Sequence, residues 1–185
     1  MIGYAFCGSF CTLSQSFSAM SQLIDMGYDV QPIMSENAYS TDTRFFKAED
    51  FQRMVYERCG RKIVNTITKA EPFGPNRLDA LIISPCTGNT LAKIAMGITD
   101  TAVTMAAKAH LRCDGELLIA LASNDSMSQN LKNIAALLTR KSVYFVPMKQ
   151  DAPAAKPHSL VADFGMLCDS FAAMREGRQL RPLFT

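Results

Sequence analysis

The 185-residue chain has no tryptophan and only two histidines, His110 and His158. Those two stand far from the CxxxC pair Cys7 and Cys11, and no second ligand pair completes a zinc site. Charge of one sign is also missing. The 19 Lys and Arg against 17 Asp and Glu leave a net charge of +2, with no run that would draw nucleic acid or an anionic membrane. No segment approaches the ~18 consecutive apolar residues of a membrane span. The N-terminal MIGYAFCGSF lacks the charged and apolar regions of a secretory signal, so a cytoplasmic chain is expected. Neither GxGxxG nor GxxxxGK[ST] occurs, which leaves a dinucleotide fingerprint and a Walker-type ATP site unsupported.

What is present suits one compact domain spanning 1–185, because 48% hydrophobic content supplies a sizeable core. Such a chain needs no covalent staples. The six cysteines, Cys7, Cys11, Cys59, Cys86, Cys113 and Cys168, therefore read as free thiols.

Apolar runs and punctuation alternate along the chain. Ile2 to Phe6 is a short apolar run, and Leu13, Phe17, Met20 and Ile24 then recur at spacings of 4, 3 and 4, the stripe of an amphipathic helix capped at Gly27. Val30 to Met34 predicts a second strand, about Ala48 to Cys59 a helix, and Ile63 to Ile67 a short strand. Glu71 to Asn76, with Pro72, Gly74 and Pro75, predicts a turn. Leu81-Ile82-Ile83, Leu117 to Leu121 and Val143 to Val146 are continuously apolar, as strands covered on both faces are. A helix of about Ser128 to Leu138 lies between the last two, and Phe164, Leu167, Phe171 and Met174 mark a final helix before Gly177. Gln150 to Pro157, with two prolines and three alanines, reads as a loop within the domain. Strand, loop and helix repeat about five times, so the expected fold is α/β, an open sheet with helices on both faces.

Ligands of such sheets bind outside the carboxyl ends of the strands. Four segments there are rich in hydroxyl, amide or glycine groups. They are Cys7-Gly8-Ser9 through Thr12, Ser35-Glu36-Asn37, Ser84 through Thr90, and Ala122-Ser123-Asn124-Asp125. The first and third lead into helix N-termini, where backbone amides and the helix dipole suit a phosphate. Ordinary caps and turns use the same residues; it is the convergence of four that points to a site.

PCTGNTLAKIAMGITD resembles the signature Pro-Ala-Ser-Ala-Asn-Thr, followed by Ile-Ala-Asn-Gly-Ile-Ala-Asp, of the homo-oligomeric flavin-containing cysteine decarboxylases. More closely, IGYAFCGSFCT, STDTRFFKAEDF, AEPFGPNRLD, SPCTGNTLAKIAMGITDTAVTMAAKAHLR, KNIAALL, VYFVPMKQDAP and KPHSLVADF make nearly the whole chain similar to the family of dipicolinate synthase B subunits. The resemblance implies a flavodoxin-like (Rossmann-like) three-layer sandwich with an open parallel sheet, which binds FMN and partners an A subunit carrying NADP. Together these would oxidise a dihydro- or hydroxytetrahydro-dipicolinate in the mother cell of a sporulating bacterium. It also implies a homo-oligomer, trimer or dodecamer.

Carried onto this chain, the family's cofactor contacts fall on Gly8, Ser9, Thr12, Ser35, Ser84, Thr87, Gly88, Asn89, Thr90 and Ser123, with Asn89 at the signature asparagine. Asn124 matches the asparagine of the family's substrate segment Pro-x-Met-Asn-x-x-Met-Trp. That segment's proline and tryptophan are absent, and so is the family's active-site histidine. Oxidative decarboxylation of a peptidyl cysteine is therefore not implied. A dicarboxylate substrate calls for fixed cations, and Arg44, Lys108 and Arg112 are the candidates, each with the plainer reading of a solvated surface charge. His110 is a candidate acid or base, with a helix C-terminal cap as its alternative. Met96, Ile98, Val103 and Met105 are candidates for either an oligomer face or core. Two other functions stay open. One is a non-catalytic protein that shapes its partner; the other is a flavin-dependent decarboxylase or prenyltransferase acting on a small acid.

Overall fold

The structure, a computed structural model, describes residues 1–75 and 78–185. Seven strands and eight helices follow in order among these residues: β1 (Ile2–Phe6), α1 (Leu13–Asp25), β2 (Val30–Met34), α2 (Glu36–Ser40), α3 (Ala48–Cys59), α4 (Ile67–Ala70), β3 (Leu81–Cys86), α5 (Gly88–Met96), α6 (Ala102–Leu111), β4 (Leu117–Ser123), α7 (Leu131–Leu138), β5 (Val143–Phe145), β6 (Met148–Lys149), β7 (Leu160–Ala162) and α8 (Leu167–Arg175).

The first five strands pair in the parallel order β2-β1-β3-β4-β5, the doubly wound order expected of a flavodoxin-like sheet. The sheet is mixed, however, rather than parallel throughout. Beyond its pairing with β5, the same edge of β4 continues at Ala122 and Ser123 against antiparallel β7, which in turn pairs with β6. A chain leaving β5 so close to β4 folds back as a hairpin without a helical crossover, and a hairpin can only be antiparallel.

Side chains alternate between the two faces of the sheet and feed two cores. On one, Ala5, Ile33, Leu81, Ile83, Ile119 and Phe145 meet α5, α6 and α7 through Leu91, Ile94, Val103, Ile134 and Leu137. On the other, Tyr4, Phe6, Met34, Ile82, Leu118 and Ala120 meet α1, α3 and α8 through Met20, Leu23, Phe51, Val55, Leu167 and Phe171. Fully burying one such side chain contributes ~1.5–3 kcal/mol. These two layers of packing set the strand register and hence the alignment of the strand ends.

Several expectations shift. Ile63 to Ile67 is not a strand: Val64 makes a single bridge to Ile33, and α4 begins at Ile67. The reason is that β2 ends at Met34, with Ser35 already capping α2, and that Thr66 caps α4, so neither segment continues extended beyond the bridge. What pairs there are Val64 N–H to Pro32 O (3.0 Å) and Met34 N–H to Val64 O (2.9 Å). The predicted turn at 71–76 begins as a 3-10 turn over Glu71–Phe73, and its last residue, Asn76, lies outside the described residues. The helix expected from Ser128 starts at Leu131, because residues 124–130 form turns. Val103 and Met105 belong to the core, whereas Met96 and Ile98 are 73% and 48% exposed.

Candidate functional site

The carboxyl ends of β2, β1, β3 and β4 lie side by side, and their loops form one continuous rim. At the end of β1, Cys7 is buried, and its amide donates to Pro85 O (3.2 Å), tying the first loop to the third. Burial pushes its thiol up to about 11, partly offset by a bond to the Thr90 side chain. Thr12 Oγ1 lies 2.9 Å from Ser9 O and 3.0 Å from Ser9 Oγ, which closes the turn just after Gly8. A Cβ added to Gly8 would stand 3.2 Å from Asn37 Cβ, so the first two loops are packed against each other. Ser35 N–H donates to Phe6 O (3.0 Å), and Ser35 Oγ caps α2 by accepting from Ala38 N–H (3.3 Å).

The third segment is not the loop its composition suggested. Strand β3 runs through Ser84, Pro85 and Cys86, and only Thr87 separates it from α5. Thr87 Oγ1 is the N-cap, accepting from Thr90 N–H (3.2 Å). The Gly88 and Asn89 amides lie in the first turn, where a helix offers no acceptor of its own. Asn89 is exposed. Ser84 is fully buried instead: its hydroxyl lies 2.9 Å from Ser16 Oγ, which donates to Ser84 O (2.5 Å), while Tyr4 OH donates to Ser16 O (2.8 Å). These three groups knit β1, α1 and β3 together beneath the rim.

The fourth loop contributes a cluster that composition alone did not single out. Ser123 Oγ donates to Asp125 Oδ1 (2.5 Å), and Asn130 Nδ2 donates to the same oxygen (2.8 Å). Asn133 Nδ2 in turn donates to Asn130 Oδ1 (2.8 Å), anchoring the turn to α7. The Ser123 hydroxyl bond holds the Asp125 carboxyl below its ordinary value, opposed by desolvation and aided by Asn130. This cluster presses on Gly88. A Cβ there would come within 3.0 Å of Ser123 Oγ, Asn130 Nδ2 (2.6 Å) and Asp125 Oδ1 (2.9 Å). The signal in the sequence was a glycine inside the first helical turn, where nearly any other residue would favour the helix more.

Asn124 is exposed beside this cluster, directly after β4. Met127 N–H donates to His158 O (2.9 Å), which ties the 150–158 loop to the same turn. The rim thus gathers Gly8, Ser9, Thr12, Ser35, Thr87, Gly88, Asn89, Thr90, Ser123 and Asn124, with Ser84 as internal support.

Other candidates lie elsewhere. His110 is 2% exposed at the end of α6, with Nε2 2.9 Å from Glu116 O, just before β4 begins. It therefore stands at the amino ends of the strands, a strand's length from Asn124. Its helical position is common to a cap and a core residue, which is why periodicity could not separate them. Lys108 and Arg112 share that end of α6. Arg44 sits on the exposed loop between α2 and α3, its guanidinium 4.8 Å from the Phe45 ring centroid.

The four rim segments, residues 7–12, 35–37, 87–90 and 123–130, contain Glu36 and Asp125 but no Lys or Arg. A ligand held here is gripped by hydroxyls, amides and the N-terminus of α5 rather than by ion pairs. That donor set, uncharged and set at a helix N-terminus, fits a phosphorylated ring cofactor. All six cysteines are free; Cys7 and Cys86 are buried beneath the rim and Cys11 is exposed on it.

Comparison with known proteins agrees with this fold. The sequence model of the family described as Flavoprotein matches residues 1–180. The chain is 34% identical over 183 residues to the B subunit of dipicolinate synthase from Bacillus subtilis, covering 98% of this chain and 92% of that one. The crystal structure of the corresponding dipicolinate synthase B subunit from Bacillus halodurans superimposes with a TM-score of 0.91 at 35% identity, covering 100% of this chain and 95% of that one. A dodecameric FMN-dependent UbiX-like decarboxylase from Escherichia coli O157:H7 shares the fold, with a TM-score of 0.63 at 23% identity and 80% of each chain covered.

Proposed function

We infer that this chain, which belongs to the Flavoprotein family, acts as the FMN-binding B subunit of a dipicolinate synthase. The observation that carries the reading is the convergence of four donor-rich strand ends on one rim, in a chain similar to such a protein along nearly its whole length. Gly8, Ser9 and Thr12, the first turn of α5 with Thr87 and Asn89, and Ser123 would hold FMN. When bound, FMN supplies an acceptor for the hydride lost as a dihydropyridine ring becomes aromatic. The chain's own part is to fix ring and substrate in register and to keep the buried Cys7 and Cys86 thiols protonated and inert beneath them.

Dicarboxylate recognition needs cations that the rim loops do not contain. Arg44, on the exposed loop after α2, is one candidate, and the A subunit, on which NADP is expected, is the other source. Exposed Met96 and Ile98 provide an apolar surface for a homo-oligomer. The setting is the cytoplasm of a sporulating mother cell.

The test is to purify the chain with and without its A subunit, release and identify any bound flavin, and follow dipicolinate formation. FMN on this chain, and turnover that requires both chains, supports the reading. If substrate leaves the bound flavin oxidised under anaerobic conditions while the pair still turns over, the chain is a non-catalytic partner. Release of CO2 in place of dipicolinate would assign it to the decarboxylases.

A further inference from the structure

Of the cluster after β4, only Ser123 has been given a role so far. One carboxylate oxygen, Asp125 Oδ1, accepts from Ser123 (2.5 Å) and from Asn130 (2.8 Å), so a single atom joins the last residue of β4 to the residue before α7. The backbone closes the same turn: Asn130 N–H donates to Asp125 O (3.2 Å), and Ser128 N–H donates to it as well (3.1 Å). Asn130 and Asn133 are 5% and 7% exposed, so the far end of the cluster is anchored in packed structure. Its near end has no slack against α5, since Gly88 leaves no room for a methyl group between them.

We infer that Asp125 is the positioning residue of the rim, holding Ser123 and Asn130 as a rigid wall against Gly88 and so fixing the direction in which the first-turn amides of α5 and Asn89 face. Its role in cofactor binding rests on the FMN reading above; its role in holding the wall does not. The shared acceptor links two elements that no strand pairing joins at this level. Asp125 need not touch the ligand. What it supplies is the shape that Gly88, Asn89 and Ser123 present together.

Asparagine at position 125 keeps an oxygen that can accept from both neighbours, whereas alanine removes it. Asp125→Asn and Asp125→Ala in the full chain would be compared by FMN titration and by amide hydrogen exchange over residues 87–91. Asp125→Ala is expected to weaken FMN binding about 10-fold or more, equivalent to the loss of one good hydrogen-bonded contact, and to speed exchange at 87–91. Asp125→Asn is expected to restore most of both. The inference is overturned if Asp125→Ala exchanges and binds like the wild type. It is equally overturned if the asparagine variant is as impaired as the alanine variant, because charge and not the shared acceptor would then be what matters. Failure of the wild type to bind FMN would remove the cofactor reading alone, and the exchange rates would still decide the role of Asp125.

Discussion

Replacing Gly88 with alanine tests the close approach at the rim. Elsewhere in a helix the change would favour the fold by ~1 kcal/mol. Here the new methyl would stand 2.6 Å from Asn130 Nδ2, 2.9 Å from Asp125 Oδ1 and closer still to Ser123 Oγ. None of these can swing away alone, because Asp125 Oδ1 accepts from both of the others. Overpacking of this kind costs ~1–3 kcal/mol, and each hydrogen bond displaced adds ~0.5–1.5 kcal/mol. The net expectation is a loss of about 1–4 kcal/mol, or a melting temperature lower by roughly 3–12 °C in a chain of this size. Thermal melting and urea unfolding of Gly88→Ala measure it. The double variant Gly88→Ala with Ser123→Ala should recover part of the loss, since the nearest obstacle is gone. A Gly88→Ala chain that melts at or above the wild-type temperature would refute the argument, as would strict additivity with Ser123→Ala.

Three further outcomes are expected. Ser16→Ala should cost ~1–3 kcal/mol in urea unfolding, because it leaves the buried Ser84 hydroxyl without its side-chain partner and deprives the Tyr4 phenol of one contact. Thiol labelling at mildly alkaline pH should modify exposed Cys11 quickly and spare Cys7 and Cys86 until the chain unfolds, since burial raises both buried thiols, Cys7 to about 11. Asp125 has a folded-state carboxyl held below its ordinary value of 3.8, so its stabilisation is present above that pH and is lost as pH falls through the lowered value. Melting temperatures of Asp125→Asn should accordingly fall less steeply than those of the wild type below about pH 4.

Much of the fold was legible because parallel strands buried on both faces are written as unbroken apolar runs. Leu81-Ile82-Ile83 and Leu117 to Leu121 could be read this way, and the stripe from Leu13 to Ile24 has an unmistakable helical period. The antiparallel addition was not legible. Met148–Lys149 and Leu160–Ala162 span two and three residues, too few to show any period. Composition also located the rim, but it could not say which polar residues turn outward. Ser84 and Asn89 belong to one run, yet the first is fully buried and the second exposed. That difference depends on where β3 stops and α5 starts, and a strand that continues through a proline gives little warning of it. The Asp125 cluster was hidden for another reason. Its members are brought together by a turn and by contact with α5, and neither has a sequence period.

Titrating the purified chain with FMN, followed by quenching of the flavin fluorescence, tests the central claim most directly. The account predicts saturable, stoichiometric binding that Gly88→Ala weakens by about 10-fold or more. Fluorescence that stays unquenched across the titration, or an affinity indifferent to a methyl group at position 88, would contradict it.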